Sequence, residues 1–114
     1  MRTMSTVSSA TWWRSATRQG RQLWSARARV RALARRAGVE GLLVFGSVAR
    51  GDAGPDSDID LLAESHTGHL DPEVLDRLAV ELSALLGFPV DVACQLTMTA
   101  TALRQAGREA RRVF

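Results

Sequence analysis

Two short runs in this sequence carry residue types that could do chemistry together. They are Gly46-Ser47 and, after ten intervening residues, Asp58-Ile59-Asp60. In an extended strand, side chains two apart share a face, so Asp58 and Asp60 are expected to project side by side while Ile59 and Leu61 point into a core. Adjacent carboxylates repel each other, and a divalent cation offsets the repulsion. Mg²⁺ takes its oxygen ligands from carboxylates together with substrate phosphates. Taken alone, Asp-x-Asp is more often a solvated pair beside a turn. Gly46 shifts that balance, because a residue without a Cβ lets the backbone approach a ligand closely. A helix starting at Ser47 would add a hydroxyl, free backbone N–H groups and the positive end of a dipole, which together cradle a phosphate. A phosphate cradle beside a metal-binding pair is what phosphoryl and nucleotidyl transfer need: positioning and charge neutralisation, with little covalent work for the protein.

Asp91 is the third candidate. It stands between Val90 and Val92, and a carboxylate among apolar strand residues is costly unless it is paired or metal-bound. Beside the Asp58/Asp60 strand it would complete three carboxylates, enough for two metal ions about 3.5–4 Å apart. It could equally take the proton from an acceptor hydroxyl.

The elements that must hold these residues read as follows. Leu23, Ala26, Val30, Leu33, Ala34 and Ala37 have the three-four spacing of an amphipathic helix over 22–37, with Gly38 as its stop. Leu42 to Phe45 is a continuous apolar run, fitting a strand buried on both faces. Residues 53–57 are turn chemistry, and 58–62 alternates as a second strand. Residues 64–70 form a loop. Asp71-Pro72-Glu73 opens a helix whose stripe runs through Val74, Leu75, Leu78, Ala79, Leu82, Leu85 and Leu86 to Gly87. A third strand spans 89–93, and a last, weaker helix is expected over 99–112.

Gly46-Ser47-Val48-Ala49-Arg50-Gly51-Asp52 through Ser57-Asp58-Ile59-Asp60-Leu61 resembles the signature of the DNA polymerase beta-like nucleotidyltransferase superfamily. Within it the motif is similar to the minimal nucleotidyltransferase branch, with Pro89-Val90-Asp91-Val92 matching the third-carboxylate strand. The resemblance spans about residues 22–112 and implies an α+β fold, a small mixed β-sheet flanked by helices. It implies that Gly46 and Ser47 bind the triphosphate, and that Asp58 and Asp60 bind Mg²⁺, with Asp91 as third ligand or base. ATP as substrate rests on the resemblance alone. So does the expected role: an antitoxin that neutralises a HEPN-type RNase toxin, by transferring AMP to one of its hydroxyls. Alternatives are transfer to a small molecule such as an aminoglycoside, and blocking of the toxin by binding alone. Enzymes of the first kind usually add a helical domain for the acceptor, and retention of all three carboxylates disfavours the second.

Composition frames this reading. The 114 residues suit one small domain, divided here into an extension over 1–20, with a flexible character, and a domain over 21–114. Residues 1–39 hold nine Arg and no acid, whereas 40–114 hold six Arg against twelve acids. The Arg-rich helix is a solvated surface or a patch for an acidic partner or RNA. There is no Lys, which excludes the Lys-bearing P-loop. The acid-free, Arg- and Ser-rich start superficially matches a transit peptide, but a ragged start, with Met4 as alternative initiator, is the plainer reading. No apolar run reaches the roughly 20 residues of a membrane span. The single Cys94 forms no intrachain disulfide and suits the cytoplasm. Arg50 is either a phosphate clamp or half of an ion pair. Asp52, Asp56, His66, His69 and Glu64 read mainly as surface groups, and Trp24 as a helix-edge packing residue. Trp12 and Trp13, adjacent in a polar tail, suggest docking on the domain or on a second copy.

Overall fold

Four short strands set the frame: β1 (Gly41–Phe45), β2 (Ile59–Glu64), β3 (Val90–Cys94) and β4 (Arg111–Arg112). The computed structural model describes residues 11–66, 69–94 and 98–114, so residues 1–10 of the expected extension lie outside the described residues. Among the described residues the strands form one sheet in the order β3-β2-β1-β4. β1 runs antiparallel to β2 and β4, and β2 runs parallel to β3. This is the mixed sheet flanked by helices that an α+β chain requires. The apolar run 42–44 is buried on both faces, as its lack of alternation demands.

Helices cover this sheet. α1 (Trp13–Ala16), α2 (Arg18–Ser25) and α3 (Arg27–Arg36) precede β1, α4 (Gly46–Arg50) follows it, and α5 (Pro72–Leu86) and α6 (Ala100–Glu109) flank β3. α5 starts and stops where its sequence dictates. The Asp71 carboxylate accepts from the Glu73 N–H at 2.9 Å, and Gly87 closes the helix at φ +77. Its buried stripe is Leu75, Leu78, Leu82 and Leu86.

Two expectations need correction. The single helix over 22–37 is two helices that begin earlier, at Arg18, where the Thr17 hydroxyl accepts from the Gly20 N–H at 3.0 Å. The chain bends at Ala26, with φ −97 and ψ 10. The apolar spacing continues through that bend, so the pattern alone does not mark it. The second correction concerns the last helix, which ends at Glu109 rather than running to 112. Ala110 turns extended, and Arg111 and Arg112 pair with Val44 and Leu43. The open edge of β1 needs partners for its backbone groups, and this tail supplies them. Val113 N–H donates to the Leu42 carbonyl at 2.9 Å, and Leu42 N–H to the Phe114 carbonyl at 3.1 Å.

The two faces of the sheet are packed unequally. Leu42, Val44, Ile59, Leu61, Ala63, Val92 and Cys94 meet Leu23, Val30, Ala34, Leu78 and Leu82 in the main core. Trp13, within the stretch read as an extension, is fully buried in that core, while Trp12 keeps 47% of its surface exposed. On the opposite face Leu43, Leu62 and Ala110 form a small cluster with Phe45, Ala93 and Met98 at its margin. Among the described residues no helix is long and apolar enough to cross a membrane.

Candidate active site

The register of three strands assembles the acids. Phe45 lies opposite Asp60 in the antiparallel pair, and Asp60 lies opposite Asp91 in the parallel pair. Residues paired in register share a face, so Asp60 and Asp91 project together from the thinly covered side. The second strand is 59–64 rather than 58–62, so Asp58, expected on it, instead immediately precedes β2; Asp58 and Asp91 are exposed, while Asp60 is half-buried. Ile59 and Leu61 are fully buried on the other side. Burial pushes the Asp60 carboxyl above the usual carboxylate range, and the charges of Asp91 and Asp58 push it further, against a smaller downward pull from Arg50. Each acid is thus electrostatically felt by the central one. Among the described residues no three His, Cys, Asp or Glu side chains close into a ready metal cage. Three like charges facing one another gain by standing apart.

The glycine-serine corner meets the same carboxylate. Gly46 has φ +71, and a methyl group placed on it would lie 2.7 Å from Oδ2 of Asp60. Both facts demand glycine here. α4 begins at Gly46 with no side-chain cap, and Ser47 is half-buried in its first turn. Gly51 ends α4 at φ +81, and Asp52 N–H donates to the Ser47 carbonyl at 3.0 Å. Of the two readings of Arg50, the ion pair is formed: Nε lies 3.3 Å from Asp52 and Nη1 lies 3.1 Å from Glu109. Hydrogen bonds to Asp52 and Glu109 hold its guanidinium more firmly protonated than usual. It also lies near enough to Asp60 to pull that carboxyl down.

The remaining candidates lie apart from these acids. Glu64 pairs with Arg112 at 3.0 Å, and the His66 imidazole stands 3.8 Å from Glu40, whose carboxyl is lowered chiefly by accepting from the His66 backbone N–H. His69 and Asp56 are exposed, and Cys94 is buried. Trp24 sits edge-on to Trp13 at 5.9 Å between centroids, with the Arg14 guanidinium 3.5 Å from its ring centre. Beside Asp91 a cleft of about 460 Å³ is bordered by Phe45, Leu75, Val92, Met98 and Thr99. Two residues with a bearing on the site escape sequence reasoning. Glu109 holds Arg50 from 59 residues away, and the buried Gln19 donates to the backbone just before Asp58. Neither belongs to a motif, and the contacts exist only in three dimensions.

Comparison with known proteins now bears on this arrangement. A sequence model of the nucleotidyltransferase domain matches residues 27–113. The chain belongs to the nucleotidyltransferase domain family. Among solved structures, this nucleotidyltransferase is similar to a protein assigned as a minimal nucleotidyltransferase, at 38% identity and TM-score 0.68, over 79% of this chain and 91% of that one. A toxin–antitoxin structure solved with AMP-PNP shares the fold at 21% identity and TM-score 0.68, over 77% of this chain and 72% of that one. So does a complex of a tri-AMPylated HEPN toxin with an MNT antitoxin from Shewanella oneidensis, at 20% identity and TM-score 0.57, over 84% and 71%. Among curated proteins none matches the chain in sequence.

Proposed function

We propose that this nucleotidyltransferase moves AMP from ATP to a hydroxyl of a partner protein and thereby neutralises a HEPN-type RNase toxin. The observation that carries the reading is the register of Asp60 against Asp91, with Asp58 two residues away and Gly46 against the Asp60 carboxylate. The Asp60 carboxyl, raised first by burial and then by the charges of Asp91 and Asp58, is one whose ionised form a cation would favour, and an all-carboxylate donor set suits Mg²⁺. Asp58, Asp60 and Asp91 are the residues that would hold it. When bound, Mg²⁺ neutralises the triphosphate and lowers the barrier to displacement at the α-phosphorus.

The chain's own groups do the rest. The uncapped start of α4 and the Ser47 hydroxyl offer donors to phosphate oxygens. Gly46, having no Cβ, lets the Asp60 carboxylate close on the backbone where α4 begins. Asp91, exposed beside the cleft, is placed to take the acceptor's proton or to share in metal binding. The cleft sets Asp76, Asp91 and Thr99 among Phe45, Leu75 and Met98, giving an acceptor both polar and apolar contacts. Arg50 changes partners from Glu109 to phosphate or stays as a brace, and an Arg50→Ala measurement of nucleotide affinity separates the two.

Toxin AMPylation is described for the Shewanella oneidensis complex. The same chemistry is tested here by incubating this protein with labelled ATP, Mg²⁺ and a HEPN-type protein encoded beside it. Label on the neighbour is expected. Label on an aminoglycoside instead would redirect the acceptor assignment, and neutralisation that survives Asp58→Ala with Asp60→Ala would reduce the protein to a binding inhibitor.

A further inference from the structure

We propose that Gln19 is a positioning residue for Asp58, acting through the turn that joins the two halves of the motif. This rests on the metal-nucleotide reading above. Gln19 is 1% exposed and lies on α2, N-terminal to the stretch matched by the nucleotidyltransferase family, residues 27–113. Its amide Nε2 donates to the carbonyl of Gly54 at 2.6 Å and to the carbonyl of Ser57 at 3.2 Å. These carbonyls bracket a turn already closed by Ser57 N–H to the Gly54 carbonyl at 3.1 Å and by Gly54 N–H to the Ser57 hydroxyl at 2.9 Å. The Ser57 carbonyl belongs to the peptide bond that leads into Asp58.

Asp58 needs such a hold. Asp60 sits inside β2 with ladder partners on both sides, but Asp58 lies outside the strand. After it, the first fixed point is Ile59 N–H on the Pro89 carbonyl at 2.8 Å. Before it, the fixed points are the turn's own Ser57 N–H bond and the Gln19 amide, which ties that turn to another element through the Ser57 carbonyl. A primary amide is the one neutral side-chain group with two N–H bonds in a plane, matching two carbonyls a turn apart. The helix carrying it is itself anchored by the fully buried Leu23, and the chain just before it is held as well: Trp13 on α1 is fully buried in the core, and the Trp12 ring covers Gly51 at the end of α4. One segment therefore grips both the phosphate-side helix and the loop before the metal-side carboxylates.

The test uses the full chain with Gln19→Leu, which keeps the bulk and removes both donors, and Gln19→Glu, which sets a carboxylate against two carbonyls. Leu82→Val in the core of α5, which makes no hydrogen bond to the turn through its side chain, serves as a destabilised control. The probe is Mn²⁺ with AMP-PNP, read by the Mn²⁺ spin-resonance signal, and the acceptor is left out. Groups that orient metal ligands from behind are worth about 10–100-fold in metal affinity, so a loss of roughly tenfold or more is expected for Gln19→Leu and a larger one for Gln19→Glu. Leu82→Val, matched in melting temperature, is expected to bind as the parent does. In the protein without metal or nucleotide, Gln19→Leu should also speed hydrogen exchange at the Ser57 amide while leaving α5 amides unchanged. Parent-like Mn²⁺–AMP-PNP affinity in Gln19→Leu overturns the proposal, as does an equal loss in Leu82→Val. If the parent protein itself fails to bind Mn²⁺–AMP-PNP, the metal-nucleotide reading fails instead, and the two failures are thereby distinguished.

Discussion

The two faces of the sheet are built from the same strands and differ by one residue of phase. Val44, Leu61 and Val92 face helices and are buried, while Phe45, Asp60 and Asp91, each one step along or back, face the thinly covered side. The strand repeat of two thus lets one stretch of chain serve stability on one side and present acids on the other. Apolar contacts hold the first face. On the second, Asp60 is kept above its ordinary pKa by burial and by two neighbouring acids, so its arrangement costs stability and is tolerated because the opposite face supplies it.

The sharpest way to break this contrast is to change each face separately. Asp58→Asn should abolish nucleotidyl transfer while leaving the melting temperature within about 2 °C, a surface-type change in stability. Unchanged turnover would remove Asp58 from the chemistry. Leu61→Ala on the packed face should do the reverse, costing about 2–5 kcal/mol in denaturant unfolding. In a chain this small that loss depletes the folded protein rather than altering the acidic face of the folded fraction.

A smaller effect sharpens the contrast. With metal chelated, Asp60→Asn should raise the melting temperature by roughly a few degrees, of the order expected for 1 kcal/mol or less in a domain of this size. The pH dependence has a defined sign. Folding raises the Asp60 pKa, so the folded state holds that proton more tightly than the unfolded chain does. The penalty is absent below the ordinary aspartate range and develops as pH rises through the raised folded value. The gap between variant and parent should therefore widen with rising pH over that window and close as pH falls. A gap constant from pH 3 to 7 would contradict the assigned cause. Smallest of all, Glu64→Gln, which breaks the exposed pair with Arg112, should shift stability by about 0–1 kcal/mol and less at high salt.

How much of this could be read from the residues follows from where the information lies. α5 was legible because Asp71-Pro72-Glu73 and Gly87 are local signals at the two ends of a regular stripe. The β1–β2 corner was legible because a buried run, a glycine and alternating acids each leave a pattern within a few residues. The break at Ala26 was not, since no glycine or proline marks it and the stripe passes through. The strand at Arg111–Arg112 was not, because two arginines carry no strand signal and the edge of β1 recruits them through backbone bonds. Gln19 and Glu109 were illegible for the same reason: the bonds that tie them to the site reach partners at least 35 residues away in sequence.

Position 46 has a further consequence for how such a chain can change over generations. A single methyl there would press on the Asp60 carboxylate and would also require a left-handed backbone that other residues resist. Even the most modest replacement, alanine, is therefore a cliff rather than a slope. A surface arginine can be exchanged without disturbing its neighbours, whereas any side chain at this corner meets both constraints together.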